Sequence, residues 1–304
     1  MGLNPFSSDV QLFASHRIGE ETVSYDFHAI EVQVPLRVNM TVQVAREGST
    51  AVVTLSGATS RNAFDSSSIA LIAATLNGLM DDSEVRSIVL TGTDRVFCSG
   101  ADIDSFQEAI ENETIGDLVM ELTGILHPLL VRMRGDPTIV VAAINGAAAG
   151  GGLGLALACD VRIASTEARL ASAFFRLGLS PDGGTTWLLP RLVGVQRARH
   201  FLFNDETWDA STALDVGAVD EVVESGDLLP RAIRVAMDWG KWADNSKKST
   251  KQLLDSQSST FFETQLEFER MLITQSSMTA EFVEGVNAFR EKRTPNFSGL
   301  NEEE

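Results

Sequence analysis

Two glycine-bearing segments and one aspartate have the residue types needed to hold a developing oxyanion and move a proton beside it. The first segment is Ile144-Asn145-Gly146-Ala147-Ala148-Ala149-Gly150-Gly151-Gly152-Leu153-Gly154, which leads into the apolar run Leu155-Ala156-Leu157-Ala158. Glycine lets a backbone approach a ligand closely, and the first turn of a helix leaves N–H groups without partners. Such amides can bind a negative oxygen. The second segment, Phe97-Cys98-Ser99-Gly100-Ala101-Asp102-Ile103, can present another N–H. Two converging amides form an oxyanion hole, in which each donor contributes on the order of 3 kcal/mol to stabilising an enolate next to a thioester carbonyl. The same glycines also suit tight turns and helix–sheet packing. A Walker A loop is excluded, because no Gly-Lys-Ser/Thr follows.

The aspartate lies in Ser180-Pro181-Asp182-Gly183-Gly184-Thr185-Thr186-Trp187, where a loop enters a helix. Local sequence alone favours an N-cap for Asp182, a role worth about 1 kcal/mol. The alternative is a carboxylate facing a substrate as base or nucleophile. His127 lies inside a helical pattern and is followed by Pro128, which removes a backbone hydrogen bond and kinks the axis. A lone helical histidine is more often a surface or satisfied core residue than a reactive one. His200, within Arg197-Ala198-Arg199-His200, reads as solvated.

These residues need elements to position them. Ala51-Val52-Val53-Thr54-Leu55 reads as a β-branched strand, and Ile69, Ile72, Leu76 and Leu79 recur at helical spacing. Strands follow at residues 87–92, 138–143 and 160–164, with a helix at 115–134 between the first two. Strands alternating with helices imply crossover connections and largely parallel sheets. Beyond Leu188 the pattern is mostly helical, and Pro295 ends the last helical stretch. Residues 1–41 carry weak signals, apart from the alternation Ala29-Ile30-Glu31-Val32-Gln33-Val34, and read as an extension that is partly strand. No sequence repeat at fixed period occurs.

The bulk composition narrows the choice. A chain of 304 residues with 44% hydrophobic content can bury a full core. Cys98 and Cys159 are the only cysteines, too few for a disulfide framework or a zinc site, so a reducing, cytoplasmic setting is expected. No apolar run reaches the length of a membrane span. A formal net charge of -18 argues against nucleic acid or an anionic membrane as partner, and means that an anionic substrate needs local Lys and Arg.

Taken in order and spacing, these segments resemble the crotonase (enoyl-CoA hydratase/isomerase) superfamily from about Val42 to Leu300. The marks are Ser60-Arg61-Asn62-Ala63-Phe64, Leu90-Thr91-Gly92, Phe97 through Asp102, Asn145 through Asp160, Pro181-Asp182-Gly183-Gly184, and the ending Phe282-Val283-Glu284-Gly285 to Arg293. The resemblance implies an α/β fold: a spiral of ββα units over residues 42–240, with a C-terminal helical trimerisation region over 241–304. It implies a homotrimer or dimer of trimers acting on an acyl-CoA thioester, with coenzyme A part of the substrate and no separate cofactor or metal. By position, the amides of Ala101 and Gly151 would hold the thioester oxygen. Arg61, Asn62 and Ala63 would lie along the CoA, together with Ser99, Gly100, Asp102 and Ile103. Lys292 would reach CoA, from a neighbouring subunit or its own. Phe174, Phe175 and Leu126 would shape the acyl pocket.

The departures from the family pattern set the expected chemistry. Hydratases of this family carry two glutamates, and here those positions hold Gly154 and Phe174. Asp182 stands where Asp-dependent isomerases and the 4-chlorobenzoyl-CoA dehalogenase branch place an aspartate, and His127 where the dehalogenase has its water-activating histidine. Leu126 and Phe174 replace the aromatic cradle of the dehalogenase. The expected activity is therefore an acyl-CoA isomerase in which Asp182 shuttles a proton and His127 orients it or water. An aryl-CoA dehalogenase or hydrolase with Asp182 as nucleophile, a weak hydratase, and a non-catalytic acyl-CoA-binding paralogue are the alternatives.

Overall fold

The computed structural model describes residues 15–18, 21–24, 28–30, 41–57 and 61–300. Strands β1 (Ser15–Ile18) and β2 (Glu21–Ser24) form an antiparallel pair, and β3 (His28–Ile30) adds to the main sheet. The extension is therefore partly strand, although the alternation expected at residues 31–34 lies outside the described residues. The main sheet continues through β4 (Thr41–Glu47), β5 (Thr50–Ser56) and β6 (Ser87–Gly92). Helix α1 (Ser66–Asp81) forms the crossover between the last two.

Next come β7 (Val96–Cys98), α2 (Ile103–Glu111), α3 (Ile115–Gly135), β8 (Ile139–Ile144), β9 (Ala147–Ala149), α4 (Gly151–Ala158), β10 (Val161–Ser165) and β11 (Arg169–Ala171). Helices α5 (Thr185–Val193) and α6 (Val195–Phe203), strand β12 (Thr207–Asp209), α7 (Ala210–Asp215), β13 (Glu221–Val223) and α8 (Leu228–Gly240) complete the spiral. The chain ends in α9 (Asp244–Ser256), α10 (Phe262–Ser276) and α11 (Ala280–Glu291).

Among the described residues the main sheet has the order β13-β10-β8-β6-β5-β4-β3, parallel from β13 to β5 and antiparallel beyond. A second sheet runs β12-β11-β9-β7. Period-two alternation divides the core. Val52, Val89 and Val141 face α8, where they meet Ala232, Ile233 and Ala236. Val53, Leu90 and Ala142 face the opposite way, into the cluster that holds Leu76, Leu126, Leu153 and Phe97. With both faces covered, β6 and β8 read as continuous apolar runs, as buried parallel strands do.

Helix α3 runs unbroken through Pro128. Helix α9 docks through buried cations rather than apolar packing alone. Lys251 on α9 donates to Asp160 Oδ2 (2.8 Å), Thr138 O (2.9 Å) and Met133 O (3.1 Å), so its charge is paired and its donors are used. On α10 and α11, by contrast, Ile273, Phe282 and Phe289 are exposed.

The N-cap of α1 fixes the segment that precedes it. Asp65 Oδ1 accepts from Ser68 N (2.8 Å), Ser68 Oγ (2.7 Å) and Ser67 Oγ (2.8 Å). Partial burial opposes the charge, yet these donors hold the carboxyl below its usual range. Asp65→Ala is expected to cost about 1 kcal/mol near neutral pH. A carboxylate with a depressed folded-state pKa stabilises above its unfolded value and loses that stabilisation as pH falls through the folded one. The gap between wild type and variant in denaturant melts should therefore narrow below about pH 4.

Candidate active site

Phe64 and Ala101 form an isolated parallel bridge, with Phe64 N donating to Gly100 O (2.9 Å) and Asp102 N donating to Phe64 O (3.1 Å). That pattern uses the amides of residues 64 and 102 and directs the N–H of Ala101 to the other side of its strand. Gly151 is the first residue of α4, so its N–H has no acceptor within the helix; Gly154 N is the donor that reaches back to Gly150 O (3.1 Å). The two segments touch backbone to backbone. A β-carbon at Gly100, which has a φ of +86°, would lie 2.9 Å from Ala149 O and 3.0 Å from Gly151 N. Only glycine allows that approach.

Asp182 is held by a second glycine contact. A β-carbon at Gly154 would lie 2.2 Å from Gly183 O and 2.8 Å from Gly183 Cα, so the loop after Asp182 rests directly on α4. Gly183 and Gly184 both have positive φ, 59° and 73°. The N-cap of α5 is Gly184, not Asp182. The capping role favoured by local sequence is therefore not the one Asp182 fills: its main-chain carbonyl accepts from Thr185 Oγ1 (2.8 Å), and its carboxylate is left for other work. Oδ1 of that carboxylate lies 2.6 Å from His127 Nε2, which explains the histidine on α3.

A cavity of about 800 Å³ joins these parts and falls within the size range of small-molecule sites. Arg61, Ala63, Ser99, Ala101, Asp102, Ile103, Gly151, Phe174 and Asp182 all line it, as does Leu126. His127 is not among the lining residues and reaches the cavity through its contact with Asp182. Phe175 also lies off the wall, packing edge-on against Phe203 with centroids 5.3 Å apart. Lys292 is the left-handed C-cap of α11 and does not line the cavity of its own chain.

Asn62 is turned inward instead of along the cavity. It is buried, with Oδ1 accepting from Gly57 N (2.8 Å) and Nδ2 donating to Val96 O (2.7 Å). It ties the end of β5 to β7 and so sets the path of Arg61 and Ala63. Asn62→Ala would leave buried backbone groups unpaired, and a loss of about 1–3 kcal/mol is expected in chemical denaturation.

Sequence reasoning missed Val119, Leu122 and Thr123, which line the cavity with Leu126. Their spacing along α3 is that of one helical face, a signal present in the sequence. Arg176 also lines the cavity and pairs with Asp205 (2.5 Å). No spacing rule points to that pair. Both cysteine thiols are buried and pushed up to about 12 by desolvation, which removes them as nucleophiles. Among the described residues no group of three His, Cys, Asp or Glu is placed to hold a metal ion, and no helix is long and apolar enough to cross a membrane.

The family model for enoyl-CoA hydratase/isomerase matches residues 45–300. The chain belongs to that family. It is 34% identical over 238 residues to the 1,2-epoxyphenylacetyl-CoA isomerase of Escherichia coli (strain K12), a match covering 78% of this chain and 90% of that one. It is 33% identical over 255 residues to the short-chain-enoyl-CoA hydratase of Clostridium acetobutylicum, covering 83% and 95%. The crystal structure of an enoyl-CoA hydratase from Polaromonas sp. JS666 superposes with a TM-score of 0.78 at 34% identity, covering 84% of this chain and 98% of that one. Relatives of similar identity thus carry both isomerase and hydratase names, and the choice between them falls to the site itself. At the two positions where the resemblance places the hydratase glutamates, this enoyl-CoA hydratase/isomerase chain has Gly154, with no room for a side chain, and Phe174, in the cavity wall.

Proposed function

We propose that this protein is an acyl-CoA isomerase that moves a double bond through a thioester enolate. The carrying observation is Asp182: a carboxylate in the same cavity wall as Gly151, released from capping, with no glutamate at Gly154 or Phe174. The amides of Ala101 and Gly151 receive the thioester oxygen, which acidifies the neighbouring C–H. Asp182 takes that proton and returns it to another carbon. One carboxylate suffices for this, whereas adding water across a double bond by the family's two-glutamate route needs groups this chain lacks. Arg61, Ala63, Ser99, Asp102 and Ile103 form the stretch along which CoA lies, and Phe174, Leu122 and Leu126 enclose the acyl end. The exposed apolar side chains of α10 and α11 suit burial between subunits of a trimer.

Proton NMR of a small panel of 2-enoyl- and 3-enoyl-CoA esters tests the reading. Migration of the double bond without addition of water is expected. Formation of a 3-hydroxyacyl-CoA as the main product would overturn it. The short contact between His127 and Asp182 also suits nucleophilic aryl-CoA chemistry, and a covalent adduct on Asp182 trapped with a 4-haloaryl-CoA would select that reading instead.

A further inference from the structure

We propose that His127 connects Asp182 to bulk water, so that the proton delivered to the product is drawn from solvent rather than carried over from the substrate. This rests on the isomerase reading of the same site. Asp182 lines the cavity, and His127 on α3 meets it with Nε2 2.6 Å from Oδ1. The imidazole side chain is 50% exposed, against 35% for the aspartate. The residue before it on α3, Leu126, is 1% exposed and closes the acyl pocket. Adjacent positions on this helix thus pack the acyl pocket and hold a half-exposed imidazole against the base.

A lone carboxylic acid gives back the proton it has taken wherever that return outruns exchange with water. Here the acid touches an imidazole, whose ring nitrogens accept protons and exchange them with water. The steps balance. The substrate C–H breaks and leaves its electron pair in the enolate, and the proton goes to the Asp182 carboxylate. Asp182 passes a proton to Nε2, restoring the carboxylate and forming an imidazolium. The contact then opens, and the half-exposed imidazolium gives the Nε2 proton itself to water and takes another at the same nitrogen before the contact re-forms. Nε2 returns the new proton to Asp182, which protonates the distal carbon as the enolate electrons re-form the conjugated bond. One proton leaves and one enters, with no further reagent.

His127 is in these terms a positioning and relay residue, since it reaches the substrate only through Asp182. The test follows 3-hexenoyl-CoA in deuterated water, with wild type and His127→Gln compared at early conversion by NMR and mass spectrometry. Glutamine can donate a hydrogen bond to Asp182 but cannot carry a proton. The wild-type product is expected to hold mostly deuterium at the newly protonated carbon. The His127→Gln product should hold mostly substrate-derived protium, with kcat lowered by about tenfold or less. A purely structural role for His127 would change rate or stability and leave the label pattern alone. Wild-type product that keeps its protium would overturn the relay and leave the isomerase reading standing, as would equal deuterium content in wild type and variant. Absence of bond migration in wild type across the whole panel of 3-enoyl-CoA esters would overturn both.

Discussion

Asp182→Asn is expected to lower kcat for double-bond migration by about 10²–10⁴-fold, the usual weight of a positioned general base. That range corresponds to about 2.7–5.4 kcal/mol of transition-state stabilisation. The substitution isolates the chemistry because it leaves the scaffold alone. The main-chain carbonyl of residue 182 still accepts from Thr185 Oγ1, and the α5 cap is Gly184, so neither loop nor helix depends on the carboxylate. An amide oxygen can still accept a hydrogen bond from His127. Stability should stay within about 0.5 kcal/mol of wild type. KM should change little, because the groups proposed to hold the thioester oxygen are backbone amides that the substitution does not touch. A loss confined to kcat marks an interaction made in the transition state, while a rise in KM at constant kcat would mark uniform binding. Turnover of the variant at the wild-type rate would remove Asp182 from the reaction.

The sequence was most legible where a period had room to show itself. Ile69, Ile72, Leu76 and Leu79 mark α1 because four turns of helix repeat the signal, and β6 coincides with the apolar run of residues 87–92. The second sheet was invisible for the opposite reason. Strands β7, β9, β11 and β12 have three residues each, too few for alternation to appear. Yet β7 and β9 bring Gly100 against Gly151, so the elements that assemble the site are among the least readable. Expectation and structure part in two places. Asp182 before a glycine pair reads as a cap, but the left-handed turn at Gly183 and Gly184 shifts the cap to Gly184 and frees the carboxylate. The resemblance sets Asn62 along the CoA with Arg61 and Ala63, but the loop has buried backbone groups at Gly57 and Val96, and the amide side chain turns inward to satisfy them. Both are long-range effects that no local window contains.

Gly154→Glu, which restores the hydratase residue type, is expected to destroy the site instead of converting it. The position is buried, and a β-carbon there would fall 2.2 Å from Gly183 O, closer than any real contact. The obstacle is backbone, which cannot rotate aside as a side-chain tip would. The Asp182–Gly184 loop must therefore lift off α4, or α4 must move. Overpacking of this kind costs about 1–3 kcal/mol, and burying an unpaired carboxylate adds to it. A total loss above about 3 kcal/mol should appear in chemical denaturation. Gly154→Ala separates the steric effect from the charge: the single methyl should cost about 1–3 kcal/mol and, by displacing Asp182, lower isomerase kcat by about 10²-fold. Neither variant is expected to hydrate an enoyl-CoA. The loop that carries Asp182 fills the space beside position 154, so a glutamate there and the proposed isomerase base would compete for one volume. A stable Gly154→Glu protein with hydratase turnover would show that this competition does not exist, and that the missing glutamate is a matter of side-chain identity alone.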